Sequence, residues 1–348
     1  FSYDQIIAVT GSNGKTTTSN MLYKMCQSKE MIGTMAGNMG IPFSERVLNN
    51  IKDPKENILY ILEISSFQLE FIKHFSPDIL VYTNISPDHL DRHGSMEEYI
   101  NMKLNALINM KDKGIIVYNK DDSILEKVLS PFTYEKQPFS TKSKDVLYSI
   151  DNKNIVGPSD DKILEIDELG IPGEHNLQNF LAASTCSHLM GISQNQIVRT
   201  LKEFKGVEHR LEYIRTINEV EYINDSKATN INSVIVAIST YDQPIVLILG
   251  GFNKGANFRL LLPHIKSSHV RDIVSYGDAG GQINTALGDA VRSVQVTDLS
   301  SAVKKAQLMA APGDIVLLSP GCASYDEFSN FEERGNHFKS IIKSLAIS

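Results

Sequence analysis

The chain has 348 residues, enough at roughly 150 residues per domain for two domains that each bury a core of their own. Lys and Arg number 34 against 41 Asp and Glu, a net charge of −7 with no Lys/Arg-rich block, which argues against a nucleic-acid-binding surface. The longest apolar runs, 245–249 and 315–318, are far short of the roughly 20 residues that span a bilayer, and three scattered cysteines (Cys26, Cys186, Cys322) exclude a disulfide framework and suit a reducing, cytoplasmic compartment.

The first residue is Phe1 rather than Met, and a strand over 6–10 leads straight into a glycine loop with no secretory pattern before it, so the chain reads as the remainder of something longer. A helix is expected from Lys15, then strands over 58–64 and 79–85, a helix over 96–110 and a strand over 115–118. That alternation of β-branched runs with helix-period segments predicts an α/β fold with a mostly parallel sheet. Residues 121–167 turn polar, with short strands over 146–150 and 163–166 that suggest a small extra sheet. Helices over 176–190 and 197–204 follow, and a boundary is expected at Gly206, giving domains 1–206 and 207–348. The second repeats the alternation, with strands over 213–217, 220–224, 245–249, 273–276, 293–296 and 315–318, as a smaller Rossmann-like unit.

The strongest local signal is IIAVTGSNGKTT over 6–17, a buried strand breaking into a glycine turn and then a helix. Backbone N–H groups of such a turn, with the helix N-terminus behind them, cradle phosphate, so Gly11, Asn13, Gly14, Lys15, Thr16 and Thr17 are candidates for a P-loop-type ATP site. Lys15 would neutralise the β/γ phosphates and the Thr16 hydroxyl would face Mg²⁺; the strict pattern wants a glycine where Val9 stands.

Glu63 closes the next strand, where a carboxylate faces the crevice in which ligands of open α/β sheets bind. By itself it is as readily a charged residue that ends a strand as a metal ligand. After the strand over 79–85 come His89 and His93 with Asp88 and Asp91, a density of titratable groups that points to a polar site. Lys103 falls within the apolar stripe made by Met96, Ile100, Leu104 and Leu107. A lysine there usually snorkels to water; the alternative is an amine desolvated at a site, open to modification or direct action on substrate.

These stretches together resemble the Mur ligase family, and within it the D-glutamate-adding branch. The matching segments are TGSNGKTT at 10–17, GNMGIP at 37–42, EISSFQLE at 63–70, DHLDRH at 88–93 with Lys103, GEHNLQN at 173–179, His209 with Arg210, NDSKATN at 224–230 and LSPGCAS at 318–324, in family order over nearly the whole chain. EISSFQLE and the 324–331 stretch carry the likeness to the D-glutamate branch.

The resemblance implies a P-loop-type central ATPase domain followed by a Rossmann-like domain, in a cytoplasmic monomer that serves peptidoglycan synthesis. It implies an ATP-dependent ligase that adds D-glutamate to UDP-N-acetylmuramoyl-L-alanine through an acyl phosphate, with the second half closing on the nucleotide. By the same likeness two Mg²⁺ ions are held by Thr16, Glu63, His89 and Lys103, the last as a carbamate, and Lys15, Glu63, His89, Lys103 and Lys227 are the catalytic set. Asn176 and Asn179 correspond to adenine-facing amides, and Arg210, Asp225 and Lys227 to a nucleotide-closing group. Asn38 and His89 would contact the muramoyl substrate, and Lys254, Thr229, Ser324 and the backbone at Phe331 the D-glutamate carboxylates.

Two departures stand out: Phe252 and Asn253 precede Lys254 where a small or acidic residue is expected, and the family's N-terminal UDP-gripping domain has no counterpart in this sequence. The competing readings are a folylpolyglutamate synthase-like ligase, which shares the ATP chemistry, and a non-catalytic nucleotide-binding protein. The full set of Lys15, Glu63, His89, Lys103 and Lys227 argues against the latter.

Overall fold

Buried strands alternating with helices build two units, Phe1–Lys205 and Gly206–Ser348, in the computed structural model, which describes residues 5–28, 31–38, 41–88, 90–158, 161–171 and 173–345. The first unit begins with β1 (Gln5–Thr10), α1 (Lys15–Met25), β2 (Ile32–Gly37), α2 (Phe43–Lys52), β3 (Ile58–Glu63) and α3 (Ser66–Leu69). It continues through β4 (Ile79–Tyr82), α4 (Leu90–His93), α5 (Met96–Leu104), β5 (Ile115–Asn119), α6 (Ser123–Leu129) and β6 (Glu135–Phe139). The short strands β7 (Ser149–Asp151), β8 (Asn154–Val156) and β9 (Lys162–Glu165) form an antiparallel sheet, and α7 (Glu174–Leu189) and α8 (Gln194–Glu203) close the unit.

The main sheet has the order β2-β3-β1-β4-β5-β6, with every pair parallel. Its central strands are apolar on both faces: all six residues of β3 and all four of β4 are buried, as a parallel sheet covered on both sides requires. Each fully buried Ile or Leu there contributes roughly 1.5–3 kcal/mol. The chain leaves β1 toward β2 and β3 on one side, then crosses to β4 on the other. The carboxyl end of β1 is therefore the point where strand order reverses, and there the crevice of an open α/β sheet lies.

The second unit runs β10 (Glu212–Ile217), β11 (Val220–Asn224), α9 (Ile231–Ile238), β12 (Ile245–Gly250), α10 (Leu262–Ser267), β13 (Val270–Tyr276), α11 (Gly280–Leu287), β14 (Arg292–Gln295), α12 (Leu299–Met309), β15 (Ile315–Gly321) and α13 (Phe331–Ser344). Its sheet has the order β10-β11-β15-β12-β13-β14, parallel except for the β10–β11 hairpin. β15 inserts between β11 and β12, so the carboxyl ends of these three strands lie side by side.

Some expectations need correction. The helix expected over 96–110 ends at Leu104 and gives way to a 3-10 turn, Asn105–Leu107. Asn105 turns its amide to the Leu69 carbonyl (3.2 Å) and Asn109 to that of Lys73 (2.7 Å), the competition with backbone pairing that makes Asn a poor helix residue. The strand over 79–85 stops at Tyr82, because the residues after it bond to the glycine loop instead. The extra sheet has three strands rather than two, its β7–β8 turn made by Asn152 at φ 55°. Among the elements that went unread are β2, α2, α3, α4, α6 and β6. β6 is an edge strand whose sequence, EKQPF, carries the charge and proline that edges tolerate and central strands do not.

Candidate functional site

The glycine loop joins β1 to α1 at the reversal point of the first sheet. Gly11 (φ 145°) and Gly14 (φ 82°) hold backbone conformations that L side chains rarely adopt. A Cβ on Gly11 would lie 2.0 Å from Thr83 Oγ1, and one on Gly14 2.1 Å from Asn179 Oδ1. Gly14 is also the N-cap of α1 and brings no side chain to the helix end. The dipole of a helix favours negative charge at such a terminus. Lys15 folds back over the loop, donating to Gly11 O and Ser12 O, each at 2.8 Å. Thr16 and Thr17 are buried at the helix start.

Lys103 does not snorkel. It is 1% exposed, its Nζ donates to Gly11 O at 2.8 Å, and it sits 4.7 Å from the centre of the Tyr99 ring. Burial first and the neighbouring Lys15 charge second push its pKa down to about 7, against a smaller opposing pull from Asp88. Tyr99, one turn earlier on α5, lies with its hydroxyl 2.8 Å from Ser12 Oγ, so the loop and the buried lysine share one aromatic neighbour. His93 packs tilted against Tyr99, stacks on Phe67 and lies 3.0 Å from Ser66 Oγ.

Glu63, at the carboxyl end of β3, is 2% exposed. Its Oε1 accepts from Asn38 Nδ2 at 2.9 Å, and Asn38 N–H donates to Glu63 O at 2.7 Å. Oε2 is buried with no hydrogen-bond partner among the described residues. An acceptor-only oxygen left this way costs free energy that an arriving cation recovers, so the residue suits a metal. Among the described residues no three His, Cys, Asp or Glu side chains come together as a metal centre; His89 lies outside the described residues.

Asn176 and Asn179 lie one turn apart on α7, with Asn179 Nδ2 3.5 Å from Asn176 Oδ1 and Thr18 Oγ1 3.4 Å from Asn179 Oδ1. Asn179 therefore stands against the glycine loop at Gly14, with Asn176 beside it.

In the second unit the remaining candidates gather where β11, β12 and β15 end. Asp225 is fully buried in practice, accepting from Leu211 N–H (3.2 Å) and Ser319 Oγ (2.8 Å). Burial raises its pKa to about 7 against the pull of those bonds and of the Arg210 and Lys227 charges. Lys227 N–H donates to His209 O at 2.9 Å, which ties the 209–211 turn to the 225–227 turn. Phe252 and Ala323 exchange backbone bonds at 2.9 and 3.1 Å, bringing the Lys254 loop beside Ser324. Lys254 lies 4.8 Å from the Tyr325 ring centre, and Ser324 is buried. Gly321 N–H donates to Ala228 O at 2.8 Å, next to the exposed Thr229. The Phe331 carbonyl accepts from Ser226 Oγ at 2.8 Å.

Sequence reasoning missed the residues that hold these groups. Thr83, Asn84 and Tyr99 brace the glycine loop. Arg334 is 0% exposed and donates to Ser226 Oγ and O, Cys322 O and Ala323 O at 2.8–3.1 Å. A signal existed for Arg334: it is a charge on the apolar stripe of Phe331, Phe338 and Ile342, as Lys103 is on its own helix.

Compared with known proteins, residues 9–187 match the Mur ligase middle domain and residues 209–322 the Mur ligase, glutamate ligase domain. The chain is 41% identical over 349 residues to the UDP-N-acetylmuramoylalanine–D-glutamate ligase of Natranaerobius thermophilus, covering 98% of this chain and 74% of that protein. It is 39% identical over 344 residues to that of Clostridioides difficile, covering 97% and 75%. Among solved structures it is similar to a MurF ligase from Thermotoga maritima in complex with ADP (18% identity, TM-score 0.69, 99% and 81% covered). It is also similar to MurF from Acinetobacter baumannii (16% identity, TM-score 0.70, 98% and 76% covered), a likeness of fold.

Proposed function

This chain belongs to the Mur ligase family, and we propose that it joins D-glutamate to UDP-N-acetylmuramoyl-L-alanine at the expense of ATP, as a step of peptidoglycan synthesis. The observation that carries the reading is the identity of about 40% across 97–98% of the chain to ligases of that name. The glycine loop, Lys15, Lys103 and Glu63 supply the chemistry such a reaction needs.

The alanyl carboxylate of the acceptor attacks the γ-phosphorus of ATP, forming an acyl phosphate and releasing ADP. The amine of D-glutamate then attacks the acyl carbon, the tetrahedral adduct expels phosphate, and the nitrogen loses a proton to leave the amide. Negative charge grows in both steps, and preorganised cations and N–H dipoles are the main means of stabilising it. Lys15 and the α1 N-terminus hold the phosphates, while Asn176 and Asn179 face the adenine. Arg210, Asp225 and Lys227 engage the nucleotide from the second unit. Lys254, Thr229, Ser324 and the Phe331 backbone receive the D-glutamate carboxylates, and Asn38 meets the muramoyl substrate.

Mg²⁺, when bound, supplies further charge neutralisation at the phosphoryl group, with Glu63, Thr16 and His89 as ligands. Lys103 as an ammonium cannot ligate a metal, but with a pKa near 7 a large share of its amine is neutral at physiological pH. A neutral amine adds to CO₂ with loss of one proton, giving an anionic carbamate that can. The orphaned Glu63 Oε2 favours a cation in this place.

The test is phosphate release from ATP and Mg²⁺, with UDP-N-acetylmuramoyl-L-alanine and either D- or L-glutamate. Release that requires the muramoyl substrate together with D-glutamate is expected. Release with a pterin-bearing acceptor and L-glutamate, or ATP binding without release under any combination, overturns the reading.

A further inference from the structure

One residue that carries no assigned role is bonded three times to the phosphate loop. Asn84, two residues beyond the end of β4, accepts Ser12 N–H on its backbone oxygen (2.9 Å) and Asn13 N–H on its side-chain Oδ1 (2.9 Å). Its Nδ2 donates to Asn13 O at 3.1 Å. The carboxamide thus pairs with both polar groups of one residue of the loop, as a neighbouring strand would.

Around it the contacts continue in register. Thr83 Oγ1 donates to Asn13 O at 2.6 Å, and Ser12 Oγ accepts Ser86 N–H and donates to Ser86 O, each at 2.9 Å. β1 and β4 stop pairing as strands at Thr10 and Tyr82, and this side-chain ladder replaces the sheet beyond that point.

Two consequences follow from the geometry. The N–H groups of Ser12 and Asn13 are held by Asn84, so neither is open to an anion while that pairing stands. In addition, the segment that leads to Asp88 is fastened to the loop itself, so that a shift in one moves the other. We propose that Asn84 is a positioning residue that sets the curvature of the phosphate loop and couples it to the 83–88 segment, and so controls affinity for the triphosphate. The inference rests on the reading of this loop as the ATP site.

Three variants test it. Asn84→Ala removes both side-chain bonds. Asn84→Asp keeps the acceptor for Asn13 N–H at nearly the same size but sets a carboxylate oxygen against Asn13 O. Thr83→Val removes the third bond with no change of shape. Amide hydrogen exchange without nucleotide reads the geometry directly. Asn13 N–H should exchange faster in Asn84→Ala by an order of magnitude or more, while Ser12 N–H, held by the Asn84 backbone, keeps its protection.

ATP binding reads the consequence. The Kd is expected to rise by a factor on the order of ten to a hundred in Asn84→Ala, further in Asn84→Asp, and less in Thr83→Val. In turnover the KM for ATP should rise while that for D-glutamate stays, a split that general loosening of the fold does not produce. Unchanged Asn13 exchange in Asn84→Ala, or an ATP Kd within twofold of the parent in both Asn84 variants, overturns the proposal. A parent chain that binds no ATP refutes the phosphate-site reading instead, and the exchange result then still decides what Asn84 braces.

Discussion

Lys15 and Lys103 donate to the same acceptor: each ammonium nitrogen lies 2.8 Å from the carbonyl oxygen of Gly11. Two cations converge on one neutral oxygen, and the buried one yields, its pKa lowered to about 7 by burial and then by Lys15. An amine in that range reacts with CO₂ near neutral pH, where an ordinary lysine is almost wholly charged. With ¹³C-labelled CO₂, a carbamate signal should appear in the parent chain and be missing from Lys103→Arg, whose guanidinium stays protonated. Lys15→Met should move the pH midpoint of labelling upward at fixed dissolved CO₂, because the repelling charge is gone. A midpoint that stays put would mean that Lys15 does not act on Lys103.

The same shift predicts how stability depends on pH. Between about 7 and the ordinary 10.5 the unfolded chain carries a proton on Lys103 that the folded chain lacks. Folding is therefore favoured increasingly as pH rises through that window, by about 1.4 kcal/mol per pH unit at most. Urea unfolding in CO₂-free buffer at pH 7.5 and 9.5 should show the parent gaining about 2 kcal/mol relative to Lys103→Met over that interval. Parallel pH dependence in the two proteins would refute the burial of a charge-bearing amine at this point.

Glu63→Gln separates metal binding from folding. The variant keeps Oε1 for Asn38 and replaces the orphaned Oε2 with an amide of the same size. Its melting temperature in EDTA should equal or exceed that of the parent, since a buried carboxylate is expensive to desolvate. Mg²⁺ should add to the rise in melting temperature that ADP alone gives the parent but not to that of the variant, and ligase turnover should fall at least about a hundredfold. Equal stabilisation of both by Mg²⁺ would remove Glu63 from the metal site.

What could be read in the sequence divides along physical lines. The β1–α1 glycine loop, the buried strands β3, β4, β12 and β15, and Lys103 on an apolar stripe are local patterns, written in consecutive residues or in one helical period. β6 was invisible because an edge strand needs no apolar face, whereas α2 carries a helical apolar spacing in Phe43, Val47 and Ile51 and was legible. The braces of the site were the larger loss. Asn84 acts through a backbone group 71 positions away, and nothing near it in the chain marks that partner; Arg334 shows itself as a charge on an apolar stripe, but its bond to Ser226 O, 108 positions away, is equally unmarked. Family likeness supplied the second-unit candidates Thr229, Lys254 and Ser324, whose nearness comes from β15 inserting between β11 and β12, a crossing that periodicity cannot reveal.

Asp225 offers the opposite sign of linkage from Lys103. Its folded pKa is raised to about 7 from an ordinary 3.8, chiefly by burial, so the folded chain holds a proton that the unfolded chain has lost. Its contribution to stability is full at low pH and is lost as pH rises through that window, by an amount on the order of 2–4 kcal/mol. Asn at this position keeps an oxygen for Leu211 N–H and offers Ser319 an N–H, with no charge to bury. Asp225→Asn should therefore match the parent at pH 5 and exceed it at pH 8 in denaturant unfolding, while ATP affinity drops because the carboxylate assigned to the nucleotide is gone. Stability and binding moving in opposite directions would identify a residue kept for chemistry at a cost to the fold. If both fall together at pH 8, Asp225 is ionised there and serves the fold.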